Sequence, residues 1–275
     1  MPTREQKVAA FRALHADGCF VMPNVWDPGS AHLFGGLGFQ ALATTSAGYA
    51  FSRGMRDGAG DLTLEQNLAH AADIAAATDL PVSADMENGY ADSPAGVAET
   101  VHRVAEAGLA GLAIEDVRPD REAPAYPFDE AVARIEAAVG AANEADIVLT
   151  ARADGMLARA YDFDSALRRL KAFEAVGAEV LYAPGQPGLV KIKALCAAIE
   201  KPVNHVIGLG ASGCSLAELT AAGVRRISTG GSLARLVFGA LLQSGREMQD
   251  GGFDRLEAEP HWPEILKTMG GGRPG

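Results

Sequence analysis

The sequence predicts a (β/α)8 barrel of the TIM type, formed as a single domain over residues 1–275. Three observations carry this: short apolar runs recur eight times, helical patterns lie between them, and the runs are continuously apolar rather than alternating. Repeated strand–helix alternation builds parallel strands joined by crossover helices. Continuous apolarity fits strands covered on both faces. Eight such units in about 250 residues make a closed barrel, and a chain of this length need not divide into two domains. A doubly wound open sheet is the alternative. No GxGxxG follows the first run, and the polar residues are not confined to one switch point, which favours the barrel.

An amphipathic helix over 3–17 opens the chain. The first run, CFVMPNVWD (19–27), carries Pro23, expected to mark its end because proline offers no N–H to a ladder. ALATTSAGY (41–49) follows, then a helical stretch over 62–78 capped by Thr63. PVSADMENG (81–89) precedes a helix over 93–108 that starts at Ser93 and stops at Gly108. GLAIED (111–116) precedes a helix over 128–143 with Asp129 at its start. DIVLTARAD (146–154) leads to a helix over 163–178 with Asp164 near its start and Gly177 near its end. EVLYAPG (179–185) and PVNHVIG (202–208) follow, then a helix over 211–223 closed by Gly223. RRISTGG (225–231) is the eighth run, and a helical extension begins at about 233. Ser, Thr and Asp satisfy free N–H groups at helix starts, and glycine adopts the left-handed residue after a helix end at little cost. The terminal GGGRPG is expected to be disordered.

The chain has 275 residues, 48% hydrophobic and 21% charged, with a net charge of −11. That balance argues against nucleic acid and against an anionic membrane, but not against a small anionic substrate. The N-terminus has no apolar signal core, and no run is long enough to span a bilayer. Cys19, Cys196 and Cys214 form neither a disulfide framework nor a zinc spacing. A cytoplasmic protein is expected.

Catalytic groups of such barrels sit at the C-terminal ends of the strands. Those ends read Asn24 and Asp27, Thr45 and Ser46, Asp85 and Glu87, Glu115 and Asp116, Arg152 and Asp154, Tyr182, Asn204 and His205, and Thr229. In VSADMENGY (82–90), Asp85 and Glu87 are two apart on an expected strand and so share a face. With Glu115 they make three carboxylates without a His or Cys set, which suits Mg2+, with Mn2+ as the alternative. The competing reading is an Asp85–Arg152 ion pair with Glu87 facing solvent. The planar fork of Arg152 suits a substrate carboxylate or phosphonate, or pairs with Glu115 or Asp85. Ser46, Ala47 and Gly48 offer backbone N–H groups as an anion nest. STGGS (228–232) reads equally as a phosphate-binding turn or a tight turn. His15, His32, His70 and His102 fall in helical patterns and are expected at the surface, while His205 alone sits at a strand end. The polar, proline-rich segment from Val117 to Phe128 is expected to be a mobile cover over the site.

TTSAGYAFSRGMRDG (44–58), DLPVSADMENGY (79–90), GLAGLAIED (108–116) and VLTARAD (148–154) together resemble the isocitrate lyase/phosphoenolpyruvate mutase superfamily, over about Asn24 to Arg235. The resemblance implies a Mg2+-dependent barrel, a homotetramer built as a dimer of dimers, with a swapped eighth helix. It implies Asp85 as direct metal ligand, with Asp57, Glu87 and Glu115 acting largely through metal-bound waters. Glu87 stands where Asp is more usual. Arg152 would clamp the substrate, and Ser46, Ala47 and Gly48, followed by Tyr49, would receive its carboxylate. The chain departs from the lyases of the family: its loop, IEDVRPDREAPAYPFDEA (114–131), has no KKCGH-like motif and no Cys, Lys or His. It also lacks the Asn-Ser lid pair of the phosphonate enzymes, and LYAPGQP lacks the His or Glu that relatives place there.

The expected function is therefore a Mg2+-dependent carbon–carbon lyase, of decarboxylase or retro-aldol type. It would act on a small 2-oxo or 2-hydroxy (di)carboxylate through a metal-stabilised enolate. Arg152, Glu115 and Asp57 form the catalytic set. Ser46, Ala47, Gly48, Tyr49, Asp85, Arg152, Tyr182 and Asn204 form the substrate set, with His205 also at hand to orient a leaving carboxylate. Asp85, Glu87 and Glu115 form the metal set. The alternatives are a phosphonate P–C bond mutase or hydrolase, and a non-catalytic 2-oxo acid binding relative.

Overall fold

The computed structural model describes residues 2–58, 60–118, 124–185, 188–208, 213–258 and 262–270. Helix α1 (Arg4–Ala16) precedes strands β1 (Phe20–Met22) and β2 (Asn24–Val25). Next come α2 (Pro28–Gly36), β3 (Leu42–Thr44), α3 (Ser46–Ser52), α4 (Leu64–Ala77) and β4 (Val82–Asp85). They are followed by α5 (Pro94–Glu106), β5 (Gly111–Glu115), α6 (Phe128–Ala145), β6 (Val148–Arg152), α7 (Phe163–Ala175) and β7 (Val180–Tyr182). The barrel ends with α8 (Leu189–Ala198), β8 (Val203–Val206), α9 (Leu216–Ala221) and β9 (Arg226–Ser228). Helices α10 (Ser232–Gln249), α11 (Asp254–Glu257) and α12 (Trp262–Gly270) extend it.

All strand pairs are parallel, in the order β1-β9-β8-β7-β6-β5-β4-β3-β2. The first apolar run supplies both β1 and β2, so the ring closes through it. Phe20 pairs with Arg226 on one side, and Asn24 pairs with Ala43 on the other. Pro23 interrupts that run rather than ending it. It has no N–H to give, but its carbonyl accepts from Ala43 N–H at 2.9 Å, which hands the strand from one neighbour to the next.

The second run is shorter than expected. Its strand stops at Thr44, because Thr45 turns into a cap whose side chain accepts from Gly48 N–H and starts α3 at Ser46. Thr63 and Ser93 cap α4 and α5 as anticipated, and Gly108, Gly177 and Gly223 all have positive φ. Asp129 and Asp164 are not caps. Proline 127 precedes α6 without a side-chain bond, and Asp162 caps α7, which places both expected residues inside the first turn.

The main core lies between the sheet and helices α2 and α4 to α8. A second apolar cluster joins Val8 and Phe11 of α1 to the strand beginnings at Phe20, Ala41, Ala110, Val148 and Val180. Helix α1 thus plugs the N-terminal end of the barrel and leaves the opposite end for chemistry. His15 is part of this plug, set edge-on to Phe11 at 4.8 Å between centroids and to Phe20 at 5.0 Å. It and His70 are buried rather than at the surface, because each lies on the inward face of its helix. Burial pushes the pKa of His15 down to about 3.

Helix α12 packs on α2 closely enough that a Cβ on Gly36 would lie 1.7 Å from the Thr268 carbonyl oxygen. Helix α10 buries only Ala234 and exposes Leu236, Val237, Leu241 and Leu242. The GGGRPG tail lies largely outside the described residues. Among those residues, no helix is long and apolar enough to cross a membrane.

The plug has no spare volume at Gly111, where an added Cβ would stand 2.7 Å from the Phe11 ring and 3.1 Å from the Val148 carbonyl oxygen. Gly111→Ala should destabilise the protein by about 1–3 kcal/mol through overpacking, as read by urea denaturation. A change within about 0.5 kcal/mol would mean that α1 does not pack under the barrel as described.

Candidate active site

The site is built where β3, β4, β5, β6 and β7 end. Asp85, the last residue of β4, has its backbone fixed on both sides. Its N–H donates to Thr44 Oγ1 at 2.9 Å, and its carbonyl accepts from Asn67 Nδ2 at 2.8 Å. Its Oδ2 accepts from the Ser46 N–H at 3.0 Å and from the Ser46 hydroxyl at 3.1 Å. That hydroxyl also stands 3.2 Å from Asp57 Oδ1. The start of α3 thus draws Asp57 and Asp85 together around one proton.

Arg152, the last residue of β6, stands between the carboxylates. Its Nη1 donates to Asp85 Oδ1 at 3.0 Å, and its Nη2 lies 2.9 Å from Glu115 Oε1. Asp154 takes the guanidinium edge with Nε at 3.0 Å and Nη2 at 2.7 Å. The ion pair that competed with the metal reading is therefore present, and the fork expected to be open for substrate is already engaged. Burial lowers the pKa of a guanidinium, yet Asp154, Glu115 and Asp85 outweigh it and raise that of Arg152 well above its ordinary value. The guanidinium lies 4.9 Å from the centroid of the Tyr182 ring.

Glu87 does not face solvent, nor does it share a strand face with Asp85. The strand stops at Asp85, and Glu87 takes a left-handed conformation at φ 46°. Its carbonyl accepts from Glu115 N–H at 2.8 Å, which ties the turn to β5. Burial first, then Asp85 and Asp57, push the pKa of its carboxyl up to about 7. Burial and Asp85 also raise that of Asp57, and burial raises that of Glu115.

These groups line a cavity of about 770 Å3 that brings together Ser46, Ala47, Asp57, Asp85, Glu87, Glu115, Arg152 and Tyr182. Gly48, Tyr49 and Asn204 are not on its wall. Gly48 is buried in α3, where an added Cβ would meet Thr45 and the Trp26 side chain at 2.7 and 2.9 Å. Tyr49 stacks on His70 at 4.0 Å between centroids. Asn204 faces the barrel interior, accepting from Arg226 Nε at 2.8 Å and donating to Ser228 Oγ at 2.9 Å. His205 is buried, its Nε2 has no hydrogen-bond partner among the described residues, and its pKa is lowered by burial. The STGGS turn spends its Thr229 and Gly230 N–H groups on Asn24 Oδ1 at 2.9 and 2.8 Å, so the tight-turn reading holds. Asp154 and the rim residues Arg118, Arg159 and Arg235 also line the cavity.

The segment after β5 is less free than its composition suggests. Val117 bridges Ala125, and Arg118 N–H donates to the Pro124 carbonyl at 2.6 Å. Tyr126 is fully buried, with its hydroxyl donating to Asp92 at 2.9 Å. Asp116 accepts from Asp154 N–H, the Tyr161 hydroxyl and Arg169 at 2.8, 2.6 and 3.1 Å, so the base of the loop is anchored. Of the segment from Val117 to Phe128 expected to move, residues 119–123 lie outside the described residues.

Among the described residues, no three His, Cys, Asp or Glu side chains are grouped so as to hold a metal by themselves. Mg2+ asks for less, one or two carboxylates plus water and substrate oxygens. Desolvation within the cavity, and then repulsion from Asp85, raise the pKa of both Glu87 and Asp57 above the ordinary carboxyl value. A divalent cation would relieve that repulsion, and the donors are all hard oxygens, so the residues fit such an ion.

A family model described as phosphoenolpyruvate phosphomutase matches residues 11–249. An oxaloacetate decarboxylase of Paraburkholderia xenovorans (strain LB400) is 32% identical, over 86% of this chain and 80% of that protein. A solved chain from Burkholderia cenocepacia J2315, provisionally termed a lyase/mutase, is 46% identical. It covers 96% of this chain and 95% of that one, with a TM-score of 0.92. Oxaloacetate acetylhydrolase, solved with its product oxalate, is 26% identical, covering 98% and 96%, with a TM-score of 0.85.

Between its ordinary pKa of 4.5 and about 7, folded Glu87 holds a proton that the unfolded chain has released. Its contribution to stability is full below the lower value and is lost as pH rises through the upper one. Glu87→Gln should flatten that fall and stabilise the metal-free protein at pH 8 by on the order of 1–2 kcal/mol. Equal slopes of unfolding free energy against pH in both proteins would contradict the described burial of Glu87.

Proposed function

The chain belongs to the phosphoenolpyruvate mutase/isocitrate lyase superfamily, and from that premise we propose that it is a Mg2+-dependent carbon–carbon lyase acting on a small 2-oxo or 2-hydroxy dicarboxylate. The observation that carries the reading is one buried guanidinium set among Asp85, Glu115 and Asp154 at the C-terminal mouth, with Asp57 and Glu87 beside it. Such a cluster suits a ligand that brings a cation at one end and a carboxylate at the other. Oxaloacetate is the first substrate to test, since three relatives are oxaloacetate decarboxylases, 32%, 30% and 27% identical.

Asp85 would hold the ion, with Asp57, Glu87 and Glu115 completing its surroundings. When bound, the ion would stabilise negative charge developing on the substrate's keto oxygen. Arg152 Nη1 would leave Asp85 for the substrate carboxylate, while its edge on Asp154 keeps the guanidinium plane fixed. Ala47 N–H, on the cavity wall beside Ser46, would add a backbone donor. Burial raises the pKa of Tyr182 above that of a free phenol, so its hydroxyl stays protonated and able to donate at neutral pH. The anchored base of the β5 loop would shield the cavity from water. The three cysteines lie outside the cavity wall, so bond cleavage would proceed without a thiol. The exposed apolar face of α10 supports the expected packing against a second copy in a homotetramer.

Arg152→Lys keeps the charge but loses the two-pronged hold. It should weaken 2-oxo acid binding by about 1–3 kcal/mol in calorimetry with Mg2+ present. Unchanged affinity would leave Arg152 a purely structural partner of Asp154. In a turnover panel of oxaloacetate, methylisocitrate and phosphonopyruvate, carbon–carbon cleavage should dominate and should survive replacement of all three cysteines by serine. Preference for phosphonopyruvate, or loss of turnover in a folded Cys-free variant, would overturn the reading.

A further inference from the structure

Arg226 of β9 is a cation buried inside the barrel, and among the described residues no carboxylate pairs with it. Neutral partners hold it instead. Its Nη1 lies 3.3 Å from His15 Nε2, its Nη2 donates to Thr150 Oγ1 at 3.0 Å, and its Nε donates to Asn204 Oδ1 at 2.8 Å. His15 Nδ1 lies 2.8 Å from the Phe11 carbonyl, which can only accept, so Nδ1 carries the ring proton and Nε2 accepts from Arg226. Burial lowers the pKa of Arg226, yet the guanidinium stays protonated at neutral pH and acts only as a donor. A buried charge without a counter-ion costs free energy, so its place in the barrel calls for a role beyond packing.

Its hold on Asn204 supplies one. Arginine has no acceptor, so the amide oxygen of Asn204 must face Arg226 and the amide nitrogen must face the other way. That nitrogen donates to Ser228 Oγ at 2.9 Å. The serine oxygen is therefore an acceptor toward the barrel, and its own proton is left for another partner. Among the described residues Ser228 Oγ donates to none, and Ser228 lines the active-site cavity. The turn that follows it packs on the start of α3: a Cβ added to Gly231 would stand 3.0 Å from Ala47 Cβ. A ligand oxygen that reaches the Ala47 N–H is thereby brought to the side of the cavity that carries Ser228. A hydroxyl whose oxygen is already engaged, with its proton free at a cavity wall, is a ready donor to an anion.

We infer that, within the cation and 2-oxo acid site proposed above and resting on that reading, Ser228 is a further ligand-contacting residue that donates its hydroxyl proton to a carboxylate oxygen of the bound anion. Asn204, fixed by Arg226, is the positioning residue that keeps this proton turned to the cavity. The competing role for the row Arg226, Asn204 and Ser228 is to tie β8 to β9 inside the barrel, with no part in binding.

Calorimetry on the full-length protein with Mg2+ and oxalate separates the two roles. Ser228→Ala removes the donor and leaves the partners of Arg226 in place. It should weaken oxalate binding about tenfold, the scale of one hydrogen bond to a charged group. Asn204→Asp keeps the shape of the side chain and still accepts from Arg226, but it has no proton for Ser228, whose hydroxyl then turns to the new carboxylate. Oxalate binding should weaken to a similar extent. The double variant should bind within about twofold of Ser228→Ala, because the proton is already gone. Asn204→Asp also gives Arg226 a counter-ion and should melt no lower than the wild type. Failure of that variant to fold would overturn the role assigned to Asn204. Unchanged oxalate affinity in Ser228→Ala would overturn the contact itself. A loss from Asn204→Asp that recurs in full on the Ser228→Ala background would overturn the positioning, since a new charge rather than a turned hydroxyl would then be its cause. Failure of oxalate to bind the wild-type protein with Mg2+ would instead overturn the cation site on which the contact depends.

Discussion

The site depends on Arg152 sitting among acids that would otherwise repel one another. A lone guanidinium in that position would pay for its desolvation, and so would each carboxylate beside it. Together they are held by the two parallel strands that place Glu115 directly opposite Arg152, and by the β4 end that brings Asp85 within 3.0 Å. Removing the arginine leaves Asp85, Glu115 and Asp154 buried without their counter-ion, a loss on the order of 3–5 kcal/mol for a single broken buried pair. The positive charge between Asp85 and its neighbours is therefore supplied first by the protein itself. A bound cation would take over part of that duty and free Arg152 for a ligand.

The rest of the barrel serves this cluster. Phe11 and His15 close the bottom, so the strands are packed at one end and open at the other. Asn67 and Thr44 hold the Asp85 backbone, and Asp116 holds the Asp154 N–H while it fixes Tyr161 and Arg169. A Cβ on Gly155 would strike the Tyr161 ring at 2.0 Å, so the tyrosine reaches Asp116 only because that position has no side chain. The loop that follows β5 leaves from this anchored base.

Much of the fold was legible because burial on both faces leaves its mark in every strand. All eight apolar runs correspond to strands, and Gly108, Gly177 and Gly223 mark helix ends that need positive φ. What escaped depended on where an element stops. One residue decides which way a strand-end side chain points. Asn204 turned into the barrel toward Arg226, and Glu87 left the strand altogether for a left-handed turn. Thr45 was equally able to continue a strand or to cap a helix, and the choice put Gly48 and Tyr49 behind the wall rather than on it. Asp57, Asp85 and Arg152 were recognisable from motifs. That Asp154 grips Arg152 was missed, because a two-residue spacing at a strand end does not reveal a bidentate hold. The buried His15 and His70 show the same limit: a helical pattern gives a face, but which face meets the core is decided by the partner.

The most direct test is a crystal structure of the protein grown with Mn2+ and oxalate, examined by anomalous scattering at the manganese edge. A single strong peak is expected beside the Asp85 carboxylate, with oxalate next to it and Arg152 turned from Asp85 toward the anion while still held by Asp154. A map with no peak at Asp85, and Arg152 still paired to both Asp85 and Glu115, would contradict that arrangement.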